Sequence, residues 1–470
     1  MIGSFKPYRV CKDSGLPWIG QIPNDWKIER TKSCFRLSVE KSGVNHGREL
    51  LSVYTHIGVR PRKEMEERGN KATTTDHYWV VKRGDIVVNK LLAWMGAIGV
   101  SHYDGVTSPA YDILRPIQNV EPDYYHHLFR TALYSQQFKI RSRGIMEMRL
   151  RLYFDQFGQI PILIPPREQQ CLIVRFIDHL DRRVRRYVHA KRRLVSLLNE
   201  QKQAIINRAI TRGLDPNVRL KPSGVEWLGE VPEHWSLKRF KFVTRITSGQ
   251  VDPREIENRN QILIAPNHIE SGSGRITQEE TAAIQGADSG KYQVRLGQII
   301  YSKIRPNLRK AAIARTDCLC SADMYPIWPK ESELRPKYLL MLLLSEPFTK
   351  YAVDCSMRVA MPKINRQALG ECWLWYPRLS EQDAILAYLS QNLALPDAVA
   401  TTARRELELV REYRTRLIAD VVTGKLDVRE AAAKLPDEAA EPETLDDADA
   451  MDDGDGTADD LDAVPEEVEA

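Results

Sequence analysis

Apolar residues recur at heptad spacing from residue 173 to residue 205. The seam positions are Ile173, Ile177, Leu180, Val184, Tyr187, Lys191, Leu194, Leu198, Gln201 and Ile205, eight of ten apolar. This spacing predicts a long helix with a narrow packing stripe. Pro165, Pro166, Arg167 and Glu168 suit its start, since proline is tolerated in the first turn and an acidic group favours the N-terminal dipole. A second stripe runs through Ala400, Ala403, Leu407, Val410, Arg414, Leu417 and Val421, six of seven apolar. Pro396 lacks a donor and clashes with the preceding turn, so a break is expected there. The expectation is a short helix near residues 381–393 and a longer one near 397–423, with a bend in the first copy around 181–183. Arg182, Arg183, Arg185, Arg186, Lys191, Arg192 and Arg193 crowd the flanks of the first stripe. Helices that project into solvent and pair with each other fit this better than core helices. At ~1.5 Å per residue, about 26 residues reach ~40 Å.

Ahead of each stripe lies a mixed segment of about 150 residues. Short β-rich runs at 84–89 and 297–301 are bounded by Gly, Pro, Asn and Asp, and apolar spacings of three and four predict helices near 124–140 and 336–353. Each segment therefore reads as an α/β (α+β) globule.

The chain repeats itself. Lys12, Ser14, Gly15, Trp18, Gly20, Pro23, Trp26, Arg30 and Lys32 recur as Lys221, Ser223, Gly224, Trp227, Gly229, Pro232, Trp235, Arg239 and Lys241, at an offset of 209. The match continues with His56 and His268 at 212, and with residues 84–90 and 297–303 at 213. Ser108 with Ser321, and Glu168-Gln169 with Glu381-Gln382, keep the offset of 213, and residues 200–215 match 412–427 at 212. The body is a tandem duplication of about 210 residues, each copy a globule followed by a helix.

Composition adds a charge split. The net charge is +5, but residues 435–470 hold 16 of the 63 acidic side chains and none of the 68 basic ones. Residues 1–434 therefore carry 68 basic against 47 acidic groups, or +21. Such a body suggests a polyanionic partner, most often nucleic acid. The Asp/Glu/Ala-rich tail is expected to be disordered, as a nucleic-acid mimic or a solubilising appendage. Seven scattered cysteines without a Cys-x-x-Cys pair argue against a disulfide framework or structural zinc. No apolar run suits a membrane helix, and no basic stretch precedes an apolar one at the N-terminus, so a cytoplasmic protein is expected.

Catalytic motifs are missing. The phosphate loop, the dinucleotide fingerprint, His-Glu-x-x-His and Gly-x-Ser-x-Gly do not occur. No Asn-Pro-Pro-aromatic or Asp-Pro-Pro-aromatic string appears, which an amino-methyltransferase would be expected to use. Glu200 and Lys202 form a chance helix-surface pair without a nearby acidic partner. His56 and His268 read as structural hydrogen-bonders at strand ends more readily than as base contacts.

The two halves resemble the specificity subunit of type I restriction–modification enzymes. The resemblance is carried by SGLPWIGQIPNDW (14–26) and SGVEWLGEVPEHW (223–235), by GDIVVNKLLAWMGAIG (84–99), by residues 143–169 and 358–382, and by the paired helices. It covers about residues 10–430. It implies two target-recognition domains, each reading one half of an asymmetric bipartite DNA sequence. Between them, antiparallel coiled-coil helices set the gap and dock two modification (methyltransferase) subunits. By this resemblance the chain itself is non-catalytic and holds no cofactor. The modification partner binds S-adenosylmethionine and methylates adenine, and restriction (translocase/nuclease) subunits use ATP and Mg. The implied boundaries are 1–165 and 216–378 for the recognition domains, 166–215 and 379–428 for the helical spacers, and 429–470 for the tail. A self-contained DNA-modifying enzyme and a coiled-coil interaction protein without a DNA role are the competing readings.

Candidate DNA-binding residues in the first domain are Lys90, Trp94, Met95, Arg141, Arg143, Arg149 and Arg151. In the second they are Lys303, Arg305, Asn307, Arg309, Arg358, Lys363 and Arg366. Phosphate contacts call for Lys and Arg, and base readout for Arg, Asn or apolar side chains. Lys90 and Lys303 match in position, which suggests a shared backbone contact. Arg149 and Arg151 have the alternative of pairing with carboxylates inside the fold. Trp18, Trp26, Trp227 and Trp235 are expected to anchor the entry to each domain.

Overall fold

The computed structural model describes residues 5–55, 57–64, 75–144, 150–356 and 362–436. His56, Arg149, Arg358 and most of the acidic tail lie outside them. The chain forms two compact units: Met1–Arg193 with Ala403–Ala470, and Leu194–Thr402. Each unit combines one globule with part of both long helices.

In the first unit an antiparallel sheet orders Phe35–Ser38, Tyr111–Pro116, Ile86–Asn89 and Ile98–Val100. Ile86–Asn89 is buried along its whole length, as a central strand of β-branched residues should be. Gly84 at φ 89° makes the turn that leads into it. Lys27–Arg30 pairs with Pro161–Ile164, which hands the chain to the first long helix, Arg167–Arg212. Trp26 is fully buried and donates from Nε1 to Oε1 of Gln169 at 3.0 Å. Leu417, Val421 and Val422 of the second long helix, Leu379–Val422, complete this core. The Tyr124 hydroxyl donates to the Val422 carbonyl at 2.8 Å.

The second unit repeats the sheet with Thr244–Ile246, Met324–Pro329, Ile299–Ser302 and Ala311–Ile313 in the same order. Ser236–Arg239 pairs with Trp373–Tyr376 as the helix-entry strands. The outer sheet repeats as well. In the second unit it has five strands, with Ile262–Ile264 parallel to Cys318–Cys320, and in the first a parallel bridge from Leu50 to Val106, at the matching positions, joins the two-stranded pairs.

Four expectations need correction. The proline does not end the second helix, which runs through Pro396 as 44 residues. Pro396 and Ala400 are buried together, and Lys202 is ion-paired with Asp397 one residue on. Packing on that face offsets the lost hydrogen bond of a mid-helix proline. The first helix likewise runs continuously, over 46 residues.

The buried stripe is not strictly heptad. Ile385, Pro396, Leu407 and Ile418 are buried at spacings of 11, as are Ile173 with Val184 and Ile177 with Val188, and Ile206 and Ile210 follow those two at twice that spacing. Eleven residues in three turns stay nearly in phase with an α-helix, whereas a heptad frame drifts by ~20° per repeat. Val188 therefore takes the buried place assigned to Tyr187, which is 38% exposed, and Leu194 is 36% exposed.

The helices near 124–140 and 336–353 are each split. They form Pro122–Phe129 with Ala132–Arg141, and Pro336–Leu343 with Glu346–Asp354. Thr131 caps the second piece of the first pair by accepting from the Tyr134 amide, and Ser345 occupies the matching cap position.

The repeat register also shifts at the helix starts. Gln170 accepts from the Glu121 amide and Gln382 from that of Arg335, both at 2.8 Å. Trp26 and Trp235 donate to Gln169 and Glu381. The offset there is 212, so Gln170 and not Gln169 stands opposite Gln382.

In the second unit Glu333 accepts from Lys238 Nζ at 2.6 Å and from the Tyr376 hydroxyl. The Lys238 and Tyr376 hydrogen bonds pull its carboxyl down to about 2. The folded state thus favours the ionised form. Its stabilisation is present above the unfolded value of ~4.3 and is lost as pH falls from there towards the folded value. Glu333→Gln is expected to cost roughly 1–2 kcal/mol at pH 7 and to flatten the acid limb of stability, read from urea midpoints against pH.

Candidate nucleic-acid interface

The interface candidates gather around one turn in each globule. In the first, the 3₁₀ turn Ala93–Met95 ends in Gly96 at φ 95°. A Cβ there would stand 3.2 Å from the Thr55 carbonyl, so glycine is required. Trp94 packs against the core with the Lys139 ammonium 5.0 Å from its ring centroid. Its Nε1 is buried without a hydrogen-bond partner among the described residues. Met95 is half-buried beside it.

The turn is tied to the later candidates. The Leu152 amide donates to the Lys90 carbonyl, and Arg143 and Arg151 exchange both backbone hydrogen bonds at 2.9 Å. Arg141 ends its helix, bonded to Gln137. Arg143 reaches Asp155 at 3.4 Å, and Arg151 is exposed.

The second globule repeats the frame. Pro306–Leu308 is the matching 3₁₀ turn. The Ile364 amide donates to Lys303, as Leu152 does to Lys90, and the Arg305 amide donates to the Pro362 carbonyl. Lys363 bridges to Ile304, which brings 303–309 and 362–366 together. Arg366 donates to the Thr247 carbonyl at 2.8 Å and lies over the rings of Tyr325 and Tyr292 at 5.3 and 5.6 Å. Arg305, Asn307 and Lys363 are exposed, while Arg309 is half-buried.

The matching lysines do the same thing in both copies. Lys90 Nζ donates to the Pro109 carbonyl at 2.9 Å and lies 3.6 Å from Asp112, and Lys303 Nζ donates to the Ala322 carbonyl. Pro109 and Ala322 keep the offset of 213. These ammonium groups close a loop within each globule. His268 is buried and bonds locally with the Leu263 carbonyl and the Ala265 amide, which is a structural role. Lys139, Tyr292 and Tyr325 were missed in the sequence. No local pattern distinguishes them from ordinary surface or core residues. Among the described residues no cluster of His, Cys, Asp and Glu could hold a metal, and no helix is long and apolar enough to cross a membrane.

No family model matches the chain. It is 28% identical over 425 residues to the type I restriction enzyme EcoDI specificity subunit of Escherichia coli, covering 87% of this chain and 90% of that one. The MjaVIII specificity subunit of Methanocaldococcus jannaschii is 23% identical over 429 residues, covering 87% and 95%. A chain from a solved type I restriction–modification system superimposes with a TM-score of 0.57 at 17% identity, covering 86% of this chain and 99% of that one, which supports the fold. Over most of its length the chain is thus similar to type I specificity subunits. A specificity subunit is the non-catalytic member of its enzyme. The two-globule, two-helix organisation of the described residues matches the fold of that solved chain.

Proposed function

We propose that this specificity subunit directs a type I restriction–modification complex to an asymmetric, bipartite DNA sequence. One half is read by residues 1–165 and the other by 216–378. The observation that carries this reading is a shared frame with unlike readers. Both turns follow a buried central strand and are closed by a lysine to a carbonyl. Yet one presents Trp94 and Met95 and the other Arg305 and Asn307. Apolar side chains suit thymine methyl groups, and guanidinium and carboxamide groups suit purine edges, so the two half-sites differ in sequence. Exposed arginines such as Arg143 and Arg151 supply phosphate contacts.

The helical segments 166–215 and 379–428 set the gap and dock two modification subunits, which bind S-adenosylmethionine and methylate adenine. Restriction subunits that use ATP and Mg join this assembly in the cytoplasm. The test is to map methylated adenines across the host genome, then to replace residues 25–165 by another reader. A bipartite motif that changes in one half only is expected. No motif, or a change in both halves, overturns the reading.

A further inference from the structure

Four non-glycine residues among those described have positive φ, and two of them, Arg305 at 46° and Arg309 at 47°, bracket the single turn Pro306–Leu308. A left-handed conformation costs a residue with a Cβ about 1–2 kcal/mol, and it persists only where the surroundings hold it. The matching turn of the first globule avoids the cost at its end with Gly96.

The surroundings here do hold it. The Arg305 amide donates to Pro362 at 2.8 Å, and the Arg309 carbonyl accepts from the Gly272 amide at 3.0 Å. Ser302 bonds to Lys310 across the base of the turn, and Pro306 is buried. The Arg309 guanidinium does not face solvent. It donates to Oε1 of Gln203 on the first long helix at 2.9 Å, and Gln203 Nε2 donates to the Gly272 carbonyl at 3.2 Å. Arg309 is thereby bound to the helix by its side chain and to the 272 loop by its backbone. What the turn leaves outward is Arg305, Asn307 and Leu308, the last 37% exposed.

Resting on the DNA-reading role proposed above, we infer that Arg305 and Asn307 read bases in the second half-site from this strained turn. Arg309 is a positioning residue, which fixes the turn to the helix through Gln203. An arginine presents two parallel donors to the O6 and N7 of guanine, and an asparagine matches the N6 and N7 of adenine. Both need a fixed backbone to discriminate, since a mobile loop lets the same side chains settle on phosphates. Strain held by five hydrogen bonds supplies that fixity.

The experiment uses the full chain assembled with its modification subunits, S-adenosylmethionine and a pool of randomised duplexes, with the methylated products sequenced. The unaltered complex must first return a bipartite motif. If it returns none, the DNA-reading role itself fails, before any variant is considered. Given a motif, Arg305→Gly and Asn307→Ala are each expected to relax preference at one base pair by roughly tenfold or more, in the same half, with the other half intact. Glycine tolerates positive φ, so Arg305→Gly removes the reader without disturbing the fold. Arg309→Gly keeps both reading side chains but loses the tie to Gln203, so it is expected to relax preference at the same base pairs more weakly than Arg305→Gly and Asn307→Ala do, with the other half intact. If Arg305→Gly and Asn307→Ala keep all preferences, or lose them in both halves, the inference is wrong. Unchanged base preference in Arg309→Gly, or a loss in both halves, overturns its positioning role.

Discussion

Arg414→Met is expected to destabilise the full chain by about 3–5 kcal/mol. Arg414 holds Asp181 with two parallel hydrogen bonds, Nε to Oδ1 at 2.7 Å and Nη2 to Oδ2 at 2.6 Å. Asp181 is only 9% exposed, and it lies among apolar positions that include Leu180 and Val184. Removing the guanidinium leaves a desolvated carboxylate without its partner, which costs far more than the pair contributes relative to an apolar replacement. Asp181→Leu combined with Arg414→Met is therefore expected to recover most of the loss. Urea unfolding followed by helical signal reads both. A single-variant loss under about 1 kcal/mol, the range of an exposed pair, would show that solvent already screens the contact. Arg414 was the one polar residue in the second stripe, and its partner on the other helix explains the exception.

Gly424→Ala is expected to cost about 2–5 kcal/mol, whereas Gly213→Ala, at the glycine that follows the first helix, costs only about 1–2 kcal/mol. Both glycines sit at positive φ, 78° and 74°. A Cβ on Gly424 would meet Pro23 Cδ at 2.5 Å and Trp26 Cζ3 at 3.0 Å. A proline ring and a fully buried tryptophan cannot step aside. A Cβ on Gly213 meets nothing closer than 3.4 Å, from Glu381 and Trp235. The first substitution combines backbone strain with overpacking, the second carries strain alone. Melting temperatures of the two variants in the full chain compare them directly, and equal shifts would remove the steric claim.

The duplication, the two globules and the two long helices were legible in the chain. They rest on repeated identities and on periodicities that persist over dozens of residues, which local noise cannot erase. Trp26 and Trp235 were expected as anchors, and both are buried in their cores. The candidate residues were harder to sort. Lys90, Lys303, Arg305 and Arg309 are all basic residues beside a turn. Sequence cannot say which of them is turned inward to a carbonyl or a glutamine and which is left outward.

The chain alone determined the elements, because apolar spacing and turn residues act over a few neighbours. The path through Pro396, the 11-residue burial spacing and the shifted Gln170–Gln382 register came from folding. Each depends on a surface supplied by residues distant in the chain, whose packing outweighs the local preference. The same holds for the strained turn at 305–309. No segment chooses that backbone by itself, and only the hydrogen bonds converging on it from Gly272, Pro362 and Gln203 make it the lowest in energy.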